Sequence, residues 1–135
     1  MRTVAATNTV TINGERLWDS LMELARIGAV TKGGVKRLAL TDLDKQGRDL
    51  VIFWGEAAGL TITVDMIGNV FMRREGAKPA LPPVVSGGQI DTLPTGGKLD
   101  GNYDVLAALE VVRTLNDCGI RTKAPIEVAF WTNEE

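Results

Sequence analysis

The sequence contains no histidine, and it has one cysteine, Cys118, among its 135 residues. A lone cysteine excludes an internal disulfide framework and is typical of a reducing cytoplasm. No apolar run approaches the roughly 20 residues that cross a bilayer. The N-terminus lacks the basic start and apolar core of a secretory signal. These absences predict a cytoplasmic protein without a membrane segment.

The charge of the chain is nearly balanced, with 15 basic and 17 acidic residues and a formal net charge of −2. Lys and Arg are scattered, so the sequence shows no electrostatic footprint for a nucleic acid. The length suffices for a single core. Residues 1–10 are small and polar without periodicity, which predicts a flexible tail before one domain segment over residues 11–135.

Helical and strand patterns alternate along the domain segment, which predicts an α/β fold. Asn13 and Thr41 are typical helix N-caps, and a third helical pattern covers residues 103–117. The last strand pattern is apolar on both faces, as expected of a central strand in a covered sheet. The four strand patterns cover residues 61–65, 69–74, 84–88 and 125–132.

The second helical pattern predicts a buried stripe of apolar side chains. Leu43, Leu50, Trp54 and Ala57 follow one another at spacings of seven, four and three, so we expect them to face the core. The preceding stretch, residues 31–40, contains adjacent glycines and is predicted to be a loop.

Carboxylates follow the ends of two predicted strands. Asp91 and Asp100 lie in the glycine-rich loop after the third strand, and Glu134 and Glu135 directly follow the fourth. The carboxyl ends of strands in α/β sheets are where sites are built, so we expect these acids to converge. Clustered carboxylates repel one another, and a metal cation is the usual resolution. Asp100-Gly101 alone would instead indicate a turn.

These motifs carry a family resemblance. The segments "GGQIDTLPTGGKLDGNY" and "PIEVAFWTNEE", together with "LALTDLDKQGRDL" and "IGNVFMRR", resemble the N-carbamoyl-L-amino-acid hydrolases, β-ureidopropionases and allantoate amidohydrolases. This group belongs to the zinc aminoacylase and carboxypeptidase G-like superfamily. The resemblance implies a partial three-layer α/β/α zinc-peptidase-like catalytic domain, truncated after a central strand. The dimerisation domain and the rest of the catalytic domain lie outside the chain.

The resemblance also implies a role for each acid in metal-dependent cleavage of a carbamoyl C–N bond. Asp100 matches the aspartate that bridges two divalent metals, usually zinc and sometimes manganese or cobalt, and Glu135 matches a terminal metal ligand. Glu134 matches the general base. Asp91 matches the acid that orients the first metal-binding histidine. The implied substrate is a small N-carbamoyl or ureido acid.

The chain departs from the family at Gln89, where the family has that histidine. An amide oxygen is a much weaker metal donor than imidazole, and a catalytic zinc ion typically takes three protein ligands. Asp100, Glu135 and Gln89 are therefore expected to hold a metal weakly or not at all. The isolated chain is accordingly predicted to be an inactive fragment or degenerate copy.

Two alternatives stay open on the sequence alone. The chain could be a non-catalytic α/β module that binds a small ligand or a partner, or a module in which the acids are simply solvated. In either case a central strand that lacks neighbours would expose unpaired backbone groups. The sequence therefore predicts a homo-oligomer formed through an exposed sheet edge.

Overall fold

The computed structural model describes residues 9–135. The tail predicted over residues 1–10 lies outside the described residues except for its last two positions. Within residues 9–135, no helix has the length and apolar character that crossing a bilayer requires. The elements are α1 (Gly14–Ala25), a 3₁₀ turn (Thr31–Gly33), α2 (Asp42–Ala57), β1 (Thr61–Val64), β2 (Val70–Arg74), β3 (Val84–Gln89), α3 (Asn102–Asp117) and β4 (Ile126–Trp131).

Both predicted helix caps are confirmed. The Asn13 side chain accepts a hydrogen bond from the Arg16 backbone N–H at 3.0 Å, and the Thr41 hydroxyl accepts one from the Asp44 N–H at 3.2 Å. The Asp44 carboxylate in turn accepts the Leu40 N–H at 3.0 Å. Each cap satisfies backbone donors that the first turn of a helix leaves without a partner.

The four strands form one mixed sheet in the order β1-β2-β4-β3. β1 pairs antiparallel with β2, and β2 pairs antiparallel with β4. β3 pairs parallel with β4, from Val84 opposite Ile126 to Gln89 opposite Trp131. The prediction that the last strand is central is confirmed, because β4 has a neighbour on each side.

The helices cover one face of the sheet. The core joins residues from all three helices to Val70, Met72, Val128 and Phe130 of the sheet, each fully buried. No helix of residues 9–135 covers the opposite face, where Phe71 and Trp131 meet edge to face at 5.7 Å between ring centroids. The α/β fold class is confirmed, and the described residues supply two of the three predicted layers.

The predicted apolar stripe of α2 is wrong at both ends, since Leu43 and Ala57 are exposed. The residues that α2 buries are Asp44, Gly47, Val51 and Gly55. The two glycines let the helix backbone approach its neighbours: a Cβ at Gly47 would lie 2.9 Å from Cδ of Arg37, and one at Gly55 would overlap Sδ of Met72. The middle of the predicted stripe is correct, since Leu50 and Trp54 are partly buried and pack against the core. Glycine carries no hydrophobic signal, so the periodicity did not indicate the most buried positions.

Candidate carboxylate site at the edge of the sheet

The predicted site residues lie at the end of the only parallel strand pair among residues 9–135. Gln89 is the last residue of β3 and pairs with Trp131, the last residue of β4. The chain leaves β3 into the loop that carries Asp91 and leaves β4 into Asn133 and the two glutamates. Because the two strands run parallel, both loops emerge at the same edge, as the sequence predicts.

Asp91 connects the two loops. Its side chain is buried, with 2% of the residue exposed. One carboxylate oxygen accepts the backbone N–H of Glu135 at 3.1 Å, and the other accepts that of Glu134 at 3.4 Å. Asp91 therefore holds the segment after β4 by its main chain.

Gln89 lies between Glu135 and the loop before α3. Its amide nitrogen donates to Oε1 of Glu135 at 3.5 Å, the long limit for a hydrogen bond. The amide group lies over Gly101, where a Cβ would overlap it. Gly101 also has a φ of 69°, in the left-handed region that favours glycine. The glycine of the Asp100-Gly101 pair thus makes room for the side chain at position 89.

The remaining carboxylates face solvent. Asp100, Glu134 and Glu135 are all exposed. Hydrogen bonding to Asp100 is the main cause that raises the pKa of Glu135, followed by partial desolvation and by the charges of Asp100 and Glu134. Asp100 therefore lies close enough to Glu135 to affect its pKa, and Glu134 adds to the local negative charge.

The donor set does not fit a catalytic zinc centre. No group of three His, Cys, Asp or Glu side chains within residues 9–135 is arranged to hold a metal ion. The groups that meet are the carboxylates of Asp100 and Glu135 and the amide of Gln89, and an amide is a poor substitute for an imidazole or thiolate donor. The only described hydrogen bonds to Asp91 come from backbone N–H groups, and none comes from Gln89.

An open depression of about 220 Å³ lies beside Asp91 and Glu135. Leu38, Pro94 and Asn133 also line it. Pockets that enclose small molecules usually measure roughly 300–1,000 Å³. The depression is therefore smaller than such pockets, and the described residues do not enclose a ligand there.

The residues that pack beneath this edge of the sheet were not predicted from the sequence. Arg37 is fully buried although it lies in a predicted loop, and Thr92 and Asn102 are buried with it. A charged side chain between loop residues usually indicates solvent exposure. The one local signal was Val35, an apolar residue in a polar stretch, which is also fully buried and pairs with Gly96 of the site loop.

Several known proteins are similar to this chain in sequence and in structure. The chain is 54% identical over 124 residues to an N-carbamoyl-L-amino-acid amidohydrolase of Rhizobium meliloti, covering 92% of this chain and 30% of that protein. It is 33% identical over 128 residues to a ureidoglycolate hydrolase of Arabidopsis thaliana, covering 95% of this chain and 27% of that protein. A crystal structure of a hydantoinase/carbamoylase family amidase from Burkholderia multivorans superposes with a TM-score of 0.94 at 60% identity, covering 95% of this chain and 31% of that one. No family model matches the chain.

The mixed α/β sheet thus matches the fold of a hydantoinase/carbamoylase family amidase over 95% of this chain. Over the segment that it spans, the chain belongs to the hydantoinase/carbamoylase family of amidases. It spans about 30% of the length of the curated relatives that it matches.

Proposed function

We propose that this chain carries part of the site of an enzyme that cleaves the carbamoyl C–N bond of N-carbamoyl-L-amino acids or related ureido acids, and that the 135 residues alone do not turn over such substrates. The observation that supports the first half is the meeting of Gln89, Asp91, Asp100 and Glu135 at one edge of the sheet. The names of the Rhizobium and Arabidopsis relatives indicate the substrate class.

In this proposal the residues take the roles that the family resemblance implies. Glu134 is the general base, and its exposed carboxylate is free to accept a proton from water. Asp100 and Glu135 are the positions of metal ligands, and Asp91 supports the ligand position that Gln89 occupies. The second half of the proposal follows from the donor set, because two carboxylates and an amide are not a zinc hydrolase site.

A hydrolysis assay tests the lack of turnover. The chain is incubated with N-carbamoyl-L-amino acids and added zinc, manganese or cobalt, and the free amino acid is quantified. The Rhizobium meliloti amidohydrolase serves as the positive control. We expect no release above background. Metal-dependent release that Glu134→Gln abolishes would contradict the proposal.

A chimera tests the lineage of the site and the importance of position 89 together. The matching segment of the Rhizobium meliloti amidohydrolase is replaced by this chain, and the chimera is compared with its Gln89→His and Gln89→Asn variants. Loss of an outer partner of a metal ligand costs roughly 10–100-fold, so replacing a ligand itself should cost more. We therefore expect the histidine variant to exceed the other two by more than that factor.

Equal activity of the three chimeras would show that residue 89 is not a ligand position. A folded histidine chimera without activity would contradict the assignment of the segment to this reaction. Metal content, measured on each purified chimera, separates a failure to bind metal from a failure of the later chemistry.

The open edge of the sheet supports a second proposal, self-association through β3. The sequence argument assigned unpaired backbone groups to the last strand, and this is wrong because β4 is paired on both sides. The two open edges belong to β1 and β3, and neither strand carries a charged residue. We place the pairing on β3, which is the longer of the two with 6 residues against 4, and which exposes Val84 and Val85. An uncharged, exposed edge strand is a ready template for pairing with another chain.

The edge proposal is tested by light scattering. We expect an oligomer for the unmodified chain and a shift toward monomer for Val85→Lys, because a charge on an edge strand disfavours pairing. Phe53→Lys is the control, since Phe53 is 65% exposed on α2 and away from the β3 edge. A monomer at all concentrations, or the same shift in both variants, would contradict pairing through β3.

A further inference from the structure

The largest fully buried side chain of the described residues is that of Arg37. Its guanidinium group donates to the Ile90 carbonyl at 2.9 Å, to the carbonyls of Leu24 and Ile27 at 3.0 and 2.7 Å, and to Oδ1 of Asn102 at 3.0 Å. No carboxylate of residues 9–135 lies within ion-pair distance of it. The buried charge is therefore held by neutral acceptors that converge from three directions.

These acceptors suit a cation. Leu24 and Ile27 lie at the C-terminal end of α1, where carbonyl groups no longer accept from the N–H four residues on and carry the negative end of the helix dipole. Burial lowers the pKa of Arg37 to about 10, against the opposing attraction of Asp44 and Asp91, so the group is charged at neutral pH. Gly47 leaves the space that the arginine stem fills, since a Cβ there would lie 2.9 Å from Cδ.

Two of the acceptors belong to the segments that carry the site acids. Ile90 directly precedes Asp91, and Asn102 follows Asp100 by two positions. Oδ1 of Asn102 accepts a hydrogen bond from the Arg37 guanidinium group, and Nδ2 of Asn102 donates one to the Asp100 carbonyl at 3.3 Å. One chain of hydrogen bonds thus runs from the end of β3 through Arg37 to the backbone of Asp100.

The main chain of Arg37 also forms two hydrogen bonds with the loop that follows β3. Its N–H donates to the Thr92 hydroxyl at 2.8 Å, and its carbonyl accepts the Thr92 N–H at 2.8 Å. Asp91 therefore lies between two residues, Ile90 and Thr92, that are both bonded to Arg37. A buried, fully bonded network of this kind restricts the geometry of the groups it joins.

We propose that Arg37 is a positioning residue of this site, whose buried guanidinium fixes the end of β3 relative to the start of α3 and so sets where Asp91 and Asp100 lie. It does not face the depression and is not a catalytic residue. The chemical roles of Asp91 and Asp100 depend on the function proposed above. Their placement by Arg37 does not depend on it. The two ideas can therefore fail separately.

The unmodified chain provides the first test, by nuclear magnetic resonance with ¹⁵N-labelled arginine. A guanidinium held by four acceptors should give Nε–H and Nη–H signals that are resolved and protected from exchange, with proton contacts to Ile27 and Asn102. Averaged, rapidly exchanging Nη–H signals would overturn the proposal without any variant. No substrate or metal enters this measurement.

Variants then separate positioning from general stability. Arg37→Met removes all the guanidinium donors. Arg37→Lys keeps the positive charge but carries its donors on one nitrogen, which cannot reach all four acceptors. Gly47→Ala keeps Arg37 but displaces the aliphatic part of its side chain. For Arg37→Met we expect amide exchange at Thr92, Asn102 and Glu135 to accelerate roughly 10-fold or more, beyond any change in global unfolding. Arg37→Lys should recover part of this protection, and Gly47→Ala should show the same pattern more weakly.

The control is Arg16→Met, which removes the partner of the buried carboxylate of Glu110 in the middle of α3. We expect it to lower global stability while leaving relative protection at Thr92, Asn102 and Glu135 unchanged. Equal loss at these amides in Arg16→Met and Arg37→Met would reduce Arg37 to a general stabilising residue. Unchanged protection in Arg37→Met and Gly47→Ala would also refute its role in positioning. If Arg37→Met does not fold, the Gly47→Ala pattern and the arginine signals of the unmodified chain decide.

Discussion

Asp91→Asn tests whether a carboxylate, rather than a side chain of that shape, holds the segment after β4. Asparagine keeps the volume of Asp91 but replaces one acceptor oxygen with an NH₂ group, which cannot accept an N–H. Since the two oxygens of Asp91 bond the backbone N–H groups of Glu134 and Glu135 separately, one of these bonds must be lost. The other bond loses its charge assistance.

The two distances indicate the magnitude of the effect. A hydrogen bond to a charged group contributes about 1.5–3 kcal/mol, and the bond of 3.4 Å to Glu134 is at the weak end of this range. The bond of 3.1 Å to Glu135 is the stronger of the two. Asparagine also loses the attraction between Asp91 and Arg37, but it is less costly to bury. We expect Asp91→Asn to lower the free energy of unfolding by about 1–2 kcal/mol.

The measurement is urea unfolding at neutral pH, followed by circular dichroism, with a shared slope for all variants. Asp100→Asn is the control, because Asp100 is exposed and its loss should change stability by less than about 0.5 kcal/mol. If Asp91→Asn also falls within that margin and the amide signals of Glu134 and Glu135 do not move, Asp91 does not anchor this segment.

Two further predictions concern Gly101 and Asp44. Gly101→Ala and Gly119→Ala both place a side chain at positive φ, which should cost about 1 kcal/mol each. Only the new methyl group of Gly101→Ala also overlaps the Gln89 side chain, so this variant should lose about 1–3 kcal/mol more of its free energy of unfolding, measured in urea. Equal losses in the two variants would show that Gln89 does not pack against Gly101. Burial raises the pKa of Asp44 in the folded state. The folded chain therefore binds this proton more readily than the unfolded chain, so the contribution of Asp44 to stability is present below the unfolded pKa and is lost as pH rises through the folded pKa. We expect the stability of the unmodified chain relative to Asp44→Asn to increase from about pH 7 to about pH 4, and a flat difference would contradict this.

The features that the sequence predicted correctly depend on local chemistry. Asn13 and Thr41 cap helices because a short polar side chain reaches the N–H three residues on. β1 and β2 lie within the strand patterns predicted over residues 61–65 and 69–74, where β-branched and aromatic side chains favour extended backbone. The prediction that the loops after β3 and β4 emerge at the same edge was also correct, because it requires only that these two strands run parallel side by side.

The features that the sequence did not predict depend on tertiary packing. Gly47 and Gly55 face the core because a close neighbour fills the space above them, and no periodicity reports that neighbour. Arg37 is buried because the end of α1, the end of β3 and Asn102 each offer it an acceptor, and these segments are distant in the sequence. Neither fact can be derived without knowing which elements are adjacent.

The candidate site at the edge of the sheet contains both buried and solvent-exposed side chains. Gln89 and Asp91 are buried and bonded to protein groups, whereas Asp100, Glu134 and Glu135 carry their charges into solvent. Hydrogen bonding to Asp100 is the main cause that raises the pKa of Glu135, and the repulsion that adds to it acts among exposed carboxylates, where water screens it. The positive charge of Arg37 lies behind them, and its hydrogen bonds hold the backbone that carries Asp91 and Asp100. The backbone frame of the site thus depends on protein contacts that do not involve the side chain at position 89. We therefore expect Gln89→His to change the donor at this position and to leave the fold of the segment intact.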